Sequence, residues 1–333
     1  MNTMGKIAVI GSGSWATALA KLLLGNCDRI GWYFHRQDRI DDFVRFGHNP
    51  TYLTDVDFNP ARIDFSSDIN VVCRDADTLL LVTPSPYLRQ TLDLITEDIS
   101  EKNIVSAVKG MVGDTDMIVT DYMKKRFGCH DDRLLVIGGP CHAEEVALDR
   151  PSFLTIGCRD PRRCADFAAM LDGKRMRTIL SNDVDGIEYA AVLKNVYAIA
   201  AGMIHGQKTG DNFIAMTVSN AVREMRRFMD TIAPMSGRDI CRSAYLGDLL
   251  VTSYSKFSRN HNFGSMIGKG YSVKAAIMEM EMVAEGYYGT RCIYRINQNG
   301  PRVEMPILDA MYRILYENAS PRRELAPVAE QFS

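Results

Sequence analysis

The sequence predicts an α/β protein, in which a doubly wound, mostly parallel sheet is followed by an all-helical C-terminal domain. Short apolar runs alternate with amphipathic segments in the first half of the chain, which is typical of a parallel sheet covered by helices on both faces. From residue 186 onward the strand-like runs end and long helical patterns take over. We therefore predict two domains, residues 1–185 and 186–333, which suits a chain of 333 residues.

The elements follow from composition and periodicity. Seven short apolar runs predict strands, which are Lys6–Ile10, Ile30–Phe34, Thr78–Val82, Asn103–Ala107, Leu134–Ile137, Phe153–Ile156 and Arg177–Leu180. Helical periodicity predicts helices at Thr17–Leu24, Leu88–Ile99, Gly186–Met203, Phe213–Ala233, Ser272–Ala284 and Pro306–Asn318. We interpret Met278, Met280 and Met282 as core-filling residues and residues 320–323 as a loosely ordered tail.

The composition is that of an ordinary globular protein. Lys and Arg number 39 against 41 Asp and Glu, a formal net charge of −2 that argues against nucleic acid or an anionic membrane as the main partner. The longest apolar stretch contains Glu188, Lys194 and Asn195, so we predict no membrane span, and no secretory signal is recognised. The eight scattered cysteines form no metal-binding pattern, which predicts reduced thiols, a cytoplasmic location and no metal site.

A Gly-x-Gly-x-x-Ala motif, formed by Gly11, Gly13 and Ala16, directly follows the first predicted strand. Gly11 permits a tight turn, Gly13 lets backbone amides approach a pyrophosphate, and Ala16 lets the next helix pack closely. The N-terminus of that helix then offers N–H groups and a favourable dipole to phosphates. With a strand before it and a helix after it, the motif predicts a Rossmann-like dinucleotide-binding domain rather than a purely structural turn.

The end of the second predicted strand bears on which dinucleotide binds. An NAD-selective site usually carries an acidic residue there, to bind the ribose 2′-hydroxyl. Here the strand ends at His35 and Arg36, and the first carboxylate is Asp38. A histidine–arginine pair can bind a 2′-phosphate, although two exposed polar residues are the simpler alternative. We predict that NADP is favoured and that NAD is possible.

Further residues suit proton transfer and phosphate binding. Lys194 and Asn195 interrupt an otherwise apolar helix, where burial would bring the lysine pKa toward neutrality. The alternative is a lysine that snorkels to the surface. Asp248 could pair with this lysine and orient it, and Arg259 has the fork geometry for a phosphate. Lys109 ends a predicted strand, at the edge of the sheet where ligands gather.

In combination these elements resemble the NAD(P)-dependent glycerol-3-phosphate dehydrogenases, in particular the soluble bacterial type. The resemblance covers nearly the whole chain, and the blocks that carry it in the family's order are Gly11–Ala20, Val108–Gly110, Gly139–Val146, Leu193–Val196, Leu246–Leu249, Ser258–Asn260 and Val283–Gly286. It implies interconversion of dihydroxyacetone phosphate and sn-glycerol 3-phosphate, which supplies the backbone of phospholipids.

The resemblance also implies site residues by position. Lys194 matches the family's proton donor and acceptor, and the residues around the reacting centre are Lys109, Asn195, Asp248 and Thr252. Substrate contacts are implied at Lys109, Gly139, Cys141, Lys194, Asp248, Ser258, Arg259 and Asn260. Cofactor contacts, with those of the glycine motif, are Gly11, Gly13, Ser14, Trp15, Ala16, His35, Arg36, Lys109, Ala143, Arg259, Val283 and Glu285.

Two positions depart from the family pattern, and two other functions stay open. Ala16 replaces the commoner glycine, and Cys141 stands where Ser or Thr is usual, which puts a hydroxyl contact to substrate in doubt. One alternative is a related two-domain β-hydroxyacid or sugar-phosphate-acid dehydrogenase. The other is a catalytically silent, NADPH-binding redox sensor. A homodimer is expected from the frequency of this assembly among soluble enzymes.

Overall fold

The computed structural model describes residues 3–331 and contains a mostly parallel eight-stranded sheet. The strands are β1 (Ile7–Ile10), β2 (Ile30–Tyr33), β3 (Ile63–Ser66), β4 (Thr78–Leu81), β5 (Asn103–Ser106), β6 (Leu134–Gly138), β7 (Ser152–Cys158) and β8 (Met176–Ser181). They lie in the order β3-β2-β1-β4-β5-β6-β7-β8, and every neighbouring pair is parallel except β6 with β7. The predicted fold class is confirmed.

The chain divides into two compact units. The first comprises the residues up to Val108 together with Val119–Val184, and the second comprises Lys109–Ile118 together with the residues from Asp185 onward. The short segment Lys109–Ile118 therefore leaves the first unit directly after β5 and carries Lys109 into the second. A single boundary at residue 185 places this segment with the residues before it instead.

The first unit holds the whole sheet. Its central strands β1, β4 and β5 are buried along their entire length, as expected of parallel strands covered on both faces. Its helices are α1 (Ser14–Asn26), α2 (Gln37–Phe46), α3 (Ile69–Asp75), α4 (Ser85–Asp93), α5 (Val119–Phe127), α6 (Ala143–Ala147) and α7 (Pro161–Leu171). All seven predicted strands are present, but β3 was missed. This edge strand buries only Ile63, so its sequence contains no continuous apolar run.

The second unit is helical. Its helices are α8 (Val184–Gly206), α9 (Asp211–Ile232), α10 (Asp248–Tyr254), α11 (Arg259–Gly268), α12 (Val273–Glu279), α13 (Glu285–Asn299), α14 (Pro306–Tyr316) and α15 (Pro321–Glu330). By length and composition α8 could cross a membrane, yet its most apolar stretch is entirely buried within the protein. It is a buried core helix of this unit.

Glycines let two helices approach α8 closely. A Cβ on Gly202 of α8 would lie 2.0 Å from the His261 carbonyl oxygen, and one on Gly264 of α11 would lie 2.0 Å from the Ile199 oxygen. A Cβ on Gly286 of α13 would lie 2.4 Å from the Asn195 oxygen. Because no side chain fits at these contacts, the backbones of α11 and α13 are held directly against α8.

Three predictions for the second unit are wrong. The helix predicted over Ser272–Ala284 ends at Glu279, so the residues before α13 are not helical. Met278 is 78% exposed and does not fill the core. Residues 320–323 are not a loose tail, since α15 begins at Pro321.

Candidate functional site

A buried cluster of two lysines and one aspartate lies in the second unit. Lys194 projects from α8, and Asp248 begins α10 directly after a π-helical turn, Ser243–Gly247. Their side chains are 4% and 1% exposed, which excludes a lysine that snorkels to the surface. The Lys194 ammonium donates to Asp248 Oδ1, and Lys109 Nζ lies 3.4 Å from Asp248 Oδ2. One carboxylate therefore pairs with both lysines.

The electrostatics of this cluster place a titration near neutrality. Burial lowers the pKa of Lys194 to about 7, because the positive form loses hydration, and the attraction of Asp248 only partly opposes this. Burial raises the pKa of Asp248, but the charges of Lys109 and Lys194 outweigh burial and hold the pKa below its ordinary value. An ionised carboxylate thus holds an amine that can give or take a proton at neutral pH.

A chain of side-chain amides fixes the backbone around the cluster. Asn195, next to the buried lysine, donates from Nδ2 to the Lys109 carbonyl at 2.8 Å. Asn260 donates to Asn195 Oδ1 at 2.9 Å and accepts the Gly286 N–H at 2.8 Å. These hydrogen bonds therefore connect the start of α13 with the backbone of Lys109.

The remaining predicted residues of the second unit lie along α10 and α11 and before α13. Thr252 donates to the Asp248 carbonyl at 2.6 Å, and its hydroxyl lies 3.4 Å from Asp248 Oδ1. Ser258 caps α11 by accepting the backbone N–H of His261 at 3.2 Å. Arg259 follows it, half-buried, with Nη1 3.9 Å from Met282 Sδ. The half-buried residues Val283 and Glu285 lie just before and at the start of α13.

In the first unit, the glycine motif forms a tight turn between β1 and α1. Gly11 has φ +126, and a Cβ there would lie 3.0 Å from the Thr83 nitrogen, so only glycine fits. The Trp32 indole donates to the Gly11 carbonyl at 2.7 Å and fixes this turn. A Cβ on Gly13 would meet nothing within 4 Å.

The N-terminus of α1 suits an anion. Ala16 is fully buried, as close packing of the helix requires, and Ser14 and Trp15 occupy the first turn. No acidic residue lies in that turn, and Gly13 offers no side-chain cap. The first N–H groups of α1 therefore suit a pyrophosphate, and the open space beside Gly13 gives it room.

The end of β2 carries the two residues predicted to set cofactor preference. His35 and Arg36 are both exposed. Arg36 donates from Nε to Asp38 Oδ1 at 2.9 Å and makes a second bond to the same carboxylate. These hydrogen bonds lower the pKa of Asp38 below its ordinary value. The guanidinium is therefore already engaged by the carboxylate that follows it.

The turn after β6 holds the other predicted contacts of the first unit. Gly139 has φ +111, and a Cβ there would lie 2.9 Å from the Phe153 oxygen. The Cys141 thiol donates to the same oxygen at 3.2 Å, so the backbone of β7 takes up its weak donor capacity. Ala143 is buried at the first position of α6.

Two contributors to the cluster were missed in the sequence. The Lys109 carbonyl and the Gly286 N–H are backbone groups, which leave no residue-type signal. The sequence also did not predict that Lys109 belongs to the helical unit, because the apolar residues before it indicated only the end of a strand. A glycine at the first turn of α13 is a weak signal for a close helix approach, and it could have pointed to Gly286.

Comparison with known proteins gives consistent matches along the chain. The family models described as NAD-dependent glycerol-3-phosphate dehydrogenase N-terminus and C-terminus match residues 6–164 and 183–326. A protein from Bacillus pumilus named glycerol-3-phosphate dehydrogenase, NAD(P)+, is 31% identical, with 94% of this chain and 91% of the relative covered. A protein of that name from Prosthecochloris aestuarii is 32% identical, with 94% of each covered.

The solved structures include a similar fold. A crystal structure of glycerol-3-phosphate dehydrogenase from Coxiella burnetii superposes with a TM-score of 0.88 at 27% identity. The superposition covers 98% of this chain and 99% of that one, so both compact units have counterparts there.

Proposed function

We infer the reaction from one premise: the chain belongs to the NAD-dependent glycerol-3-phosphate dehydrogenase family. It is accordingly a glycerol-3-phosphate dehydrogenase, an oxidoreductase that uses NAD(P) to interconvert dihydroxyacetone phosphate and sn-glycerol 3-phosphate. The observation that carries the assignment of chemistry is the buried cluster of Lys109, Asp248 and Lys194. Neither alternative function is supported by the relatives, and a redox sensor would have no use for this cluster.

Lys194 is the proposed proton donor for ketone reduction. A nicotinamide cofactor, when bound, would supply the hydride for the carbonyl carbon. As an ammonium, Lys194 polarises the carbonyl oxygen and gives its proton to the alkoxide that forms; in the reverse direction the neutral amine takes the proton back. Asp248 holds the amine in one orientation, and Thr252 restrains the Asp248 backbone. A pKa near 7 keeps both protonation states populated at neutral pH.

The phosphate of the substrate is proposed to bind at the start of α11. Arg259 offers a planar fork of donors, and Ser258 and Asn260 flank it. Two bonds of the Asn260 amide are used internally, but an amide nitrogen carries two hydrogens, so one remains for an oxygen of the phosphate. Gly139 and Cys141 of the first unit are proposed substrate contacts through their backbone.

The first unit is proposed to hold the dinucleotide, with NADPH preferred over NADH. The turn at Gly11 and Gly13 and the uncapped start of α1 suit the pyrophosphate. Preference for NADPH rests on His35 and Arg36, since no carboxylate lies between the end of β2 and Asp38 to bind a free 2′-hydroxyl. Arg36 would exchange Asp38 for the 2′-phosphate. We also propose a cytoplasmic location and a homodimer, and sedimentation velocity of the purified protein tests the homodimer.

A spectrophotometric assay tests the function. Oxidation of NADPH and of NADH is followed with dihydroxyacetone phosphate and, in parallel, with a panel of 2-keto and 3-keto acids. We expect turnover with dihydroxyacetone phosphate alone and a lower KM for NADPH than for NADH. Turnover only on a keto acid would establish the hydroxyacid alternative, and tight NADPH binding with no turnover on any ketone would establish the sensor.

A further inference from the structure

The segment Lys109–Ile118 makes two ion pairs and one hydrogen bond with α13. Asp114 forms an ion pair with Arg291, with Oδ1 and Nη2 2.7 Å apart. Asp116 forms a second with Arg295 at 3.0 Å. On the same helix, the Cys292 thiol donates to the Gly113 carbonyl at 3.6 Å. We call the two ion pairs the clasp.

The same helix also supports α8 at the buried lysine. A Cβ on Gly286 would lie 2.4 Å from the Asn195 carbonyl oxygen, and one on Gly289 would lie 2.8 Å from a methyl group of Val192. The start of α13 thus packs on the turn of α8 that carries Lys194. One helix therefore supports both lysines of the cluster, through α8 in one case and through the clasp in the other.

The contact that the clasp would protect is a sensitive one. Lys109 Nζ lies 3.4 Å from Asp248 Oδ2, at the outer limit of a hydrogen bond, and the Lys109 carbonyl accepts a hydrogen bond from Asn195 Nδ2 at 2.8 Å. A displacement of well under 1 Å at the start of the segment would break the contact. Asp248 would then lose its contact with Lys109 and would pair with Lys194 alone.

The second ion pair is partly buried on its acidic side. The Asp116 side chain is 20% exposed and that of Arg295 is 41% exposed. Asp116 has φ +54, a left-handed conformation that Asp and Asn tolerate better than most residues. Burial, followed by the nearby charge of Asp116, raises the pKa of the Cys292 thiol to about 11, so this thiol stays neutral beside the clasp. Exposed pairs seldom contribute to stability, but a partly buried pair can fix a position.

We propose that the clasp is a positioning device that holds Lys109 in register with Lys194 on α8. Arg295 and Asp116 are the main positioning residues, and Arg291 with Asp114 is the outer support. None of the four touches the cluster, so they act through the segment. This inference rests on the proposed function, because it assigns a role to Lys109 in that reaction.

The test is a double-mutant cycle with Asp116→Asn, Arg295→Gln and the double variant, assayed with dihydroxyacetone phosphate and NADPH. Each variant should lose kcat by about tenfold, since sub-ångström misplacement of a reacting group has effects of this order, with the KM for NADPH unchanged. The double variant should match the single ones, because both remove the same ion pair. Arg295→Lys, which keeps the charge, should recover part of the loss.

A matched control and an activity-independent readout accompany the cycle. The control is Arg74→Gln in the first unit, which removes the ion pair between Arg74 and Glu97, whose atoms lie 2.6 Å apart. This variant should keep the wild-type kcat. Hydrogen–deuterium exchange should rise in the peptide covering residues 109–118 in each clasp variant. Wild-type kcat in Asp116→Asn and Arg295→Gln, or unchanged exchange in that peptide, would overturn the proposal. An inactive wild-type enzyme would instead refute the proposed function, and the exchange result would still decide whether the clasp holds the segment.

Discussion

Each unit carries an ion pair between a basic residue and an aspartate at a predicted binding position. The two pairs differ in burial and in the basic group, which is a lysine amine in one and an arginine guanidinium in the other. In the second unit, Lys194 and Asp248 are almost fully buried. In the first, Arg36 and Asp38 are 52% and 57% exposed. Burial brings the pKa of Lys194 to about 7, whereas the hydrogen bond and charge of Asp38 raise the pKa of Arg36 further above its ordinary value.

The buried pair shows what desolvation does to a lysine amine, and the exposed pair shows what water does to an ion pair at the surface. Removing water from the buried pair makes the protonated and neutral amines comparable in free energy, which is what proton transfer needs. Water around the exposed pair screens its attraction, so the pair adds little to folding and can exchange a partner for a ligand. We therefore expect changes to the buried pair to abolish chemistry and changes to the exposed pair to alter only cofactor selectivity.

The largest expected effect is that of Lys194→Ala. It removes the proposed proton donor, so kcat for reduction of dihydroxyacetone phosphate should fall by about 10³-fold or more. Asp248 keeps Lys109 as a partner, so the buried carboxylate is not left unpaired and the fold should survive. Steady-state kinetics measures the loss, and the far-UV circular dichroism spectrum checks the fold.

Binding of NADPH provides the control for that variant. The glycine turn that is proposed to bind it lies in the first unit, so fluorescence titration should give a dissociation constant within a factor of two of the wild type. Turnover of Lys194→Ala close to the wild-type rate would show that Lys194 is not the proton donor. The expected difference in function between the buried and the exposed pair would then be wrong.

A second buried carboxylate predicts an intermediate effect, on stability rather than on turnover. Glu224 of α9 accepts the N–H groups of Ile307 and Leu308 at the start of α14, at 2.6 and 3.3 Å, and the Tyr197 hydroxyl lies 3.4 Å away. Burial raises its pKa from 4.5 to about 8, although the two backbone donors oppose the shift. The folded protein therefore binds this proton more tightly than the unfolded chain does.

The sign of the pH dependence follows from this shift. Between pH 4.5 and about 8 the proton of Glu224 is bound in the folded state and released in the unfolded state, so its contribution to stability is lost as pH rises through that window. Glu224→Gln cannot ionise, so its free energy of unfolding should fall less between pH 5 and 8 than that of the wild type. Urea unfolding at pH 5, 6.5 and 8 measures this, with the exposed Glu279→Gln as control. Parallel pH curves for wild type and Glu224→Gln would contradict the assignment.

Glu224 also shows how far the sequence could predict this molecule. The apolar strands, the glycine turn and the lysine on an apolar helix are local patterns, and they predicted seven of the eight strands and a buried Lys194. Glu224 lies on the buried face of α9 between Ala221 and Phe228, so helical periodicity could have indicated it.

Other features had no local signal. The hydrogen bond to the Lys109 carbonyl and the clasp both depend on the ten-residue segment Lys109–Ile118 belonging to the second unit, which is a property of tertiary packing. The engagement of Arg36 by Asp38, two residues further on, needed the side-chain conformation. Sequence patterns therefore predicted which residues are buried or lie at strand ends and one pairing, that of Asp248 with Lys194, but not the partners of the Lys109 carbonyl or of Arg36.

The smallest expected effect is that of Arg36→Gln, because the exposed pair contributes little to folding. The free energy of unfolding should stay within about 0.5 kcal/mol of the wild type. If Arg36 exchanges Asp38 for the 2′-phosphate, the KM for NADPH should rise about tenfold, the order of one lost charge-assisted contact, while the KM for NADH stays unchanged. Asp38→Asn, which frees the guanidinium, should lower the KM for NADPH. Equal changes for both cofactors would show that Arg36 contacts a part they share, and the selectivity would then lie elsewhere at the end of β2.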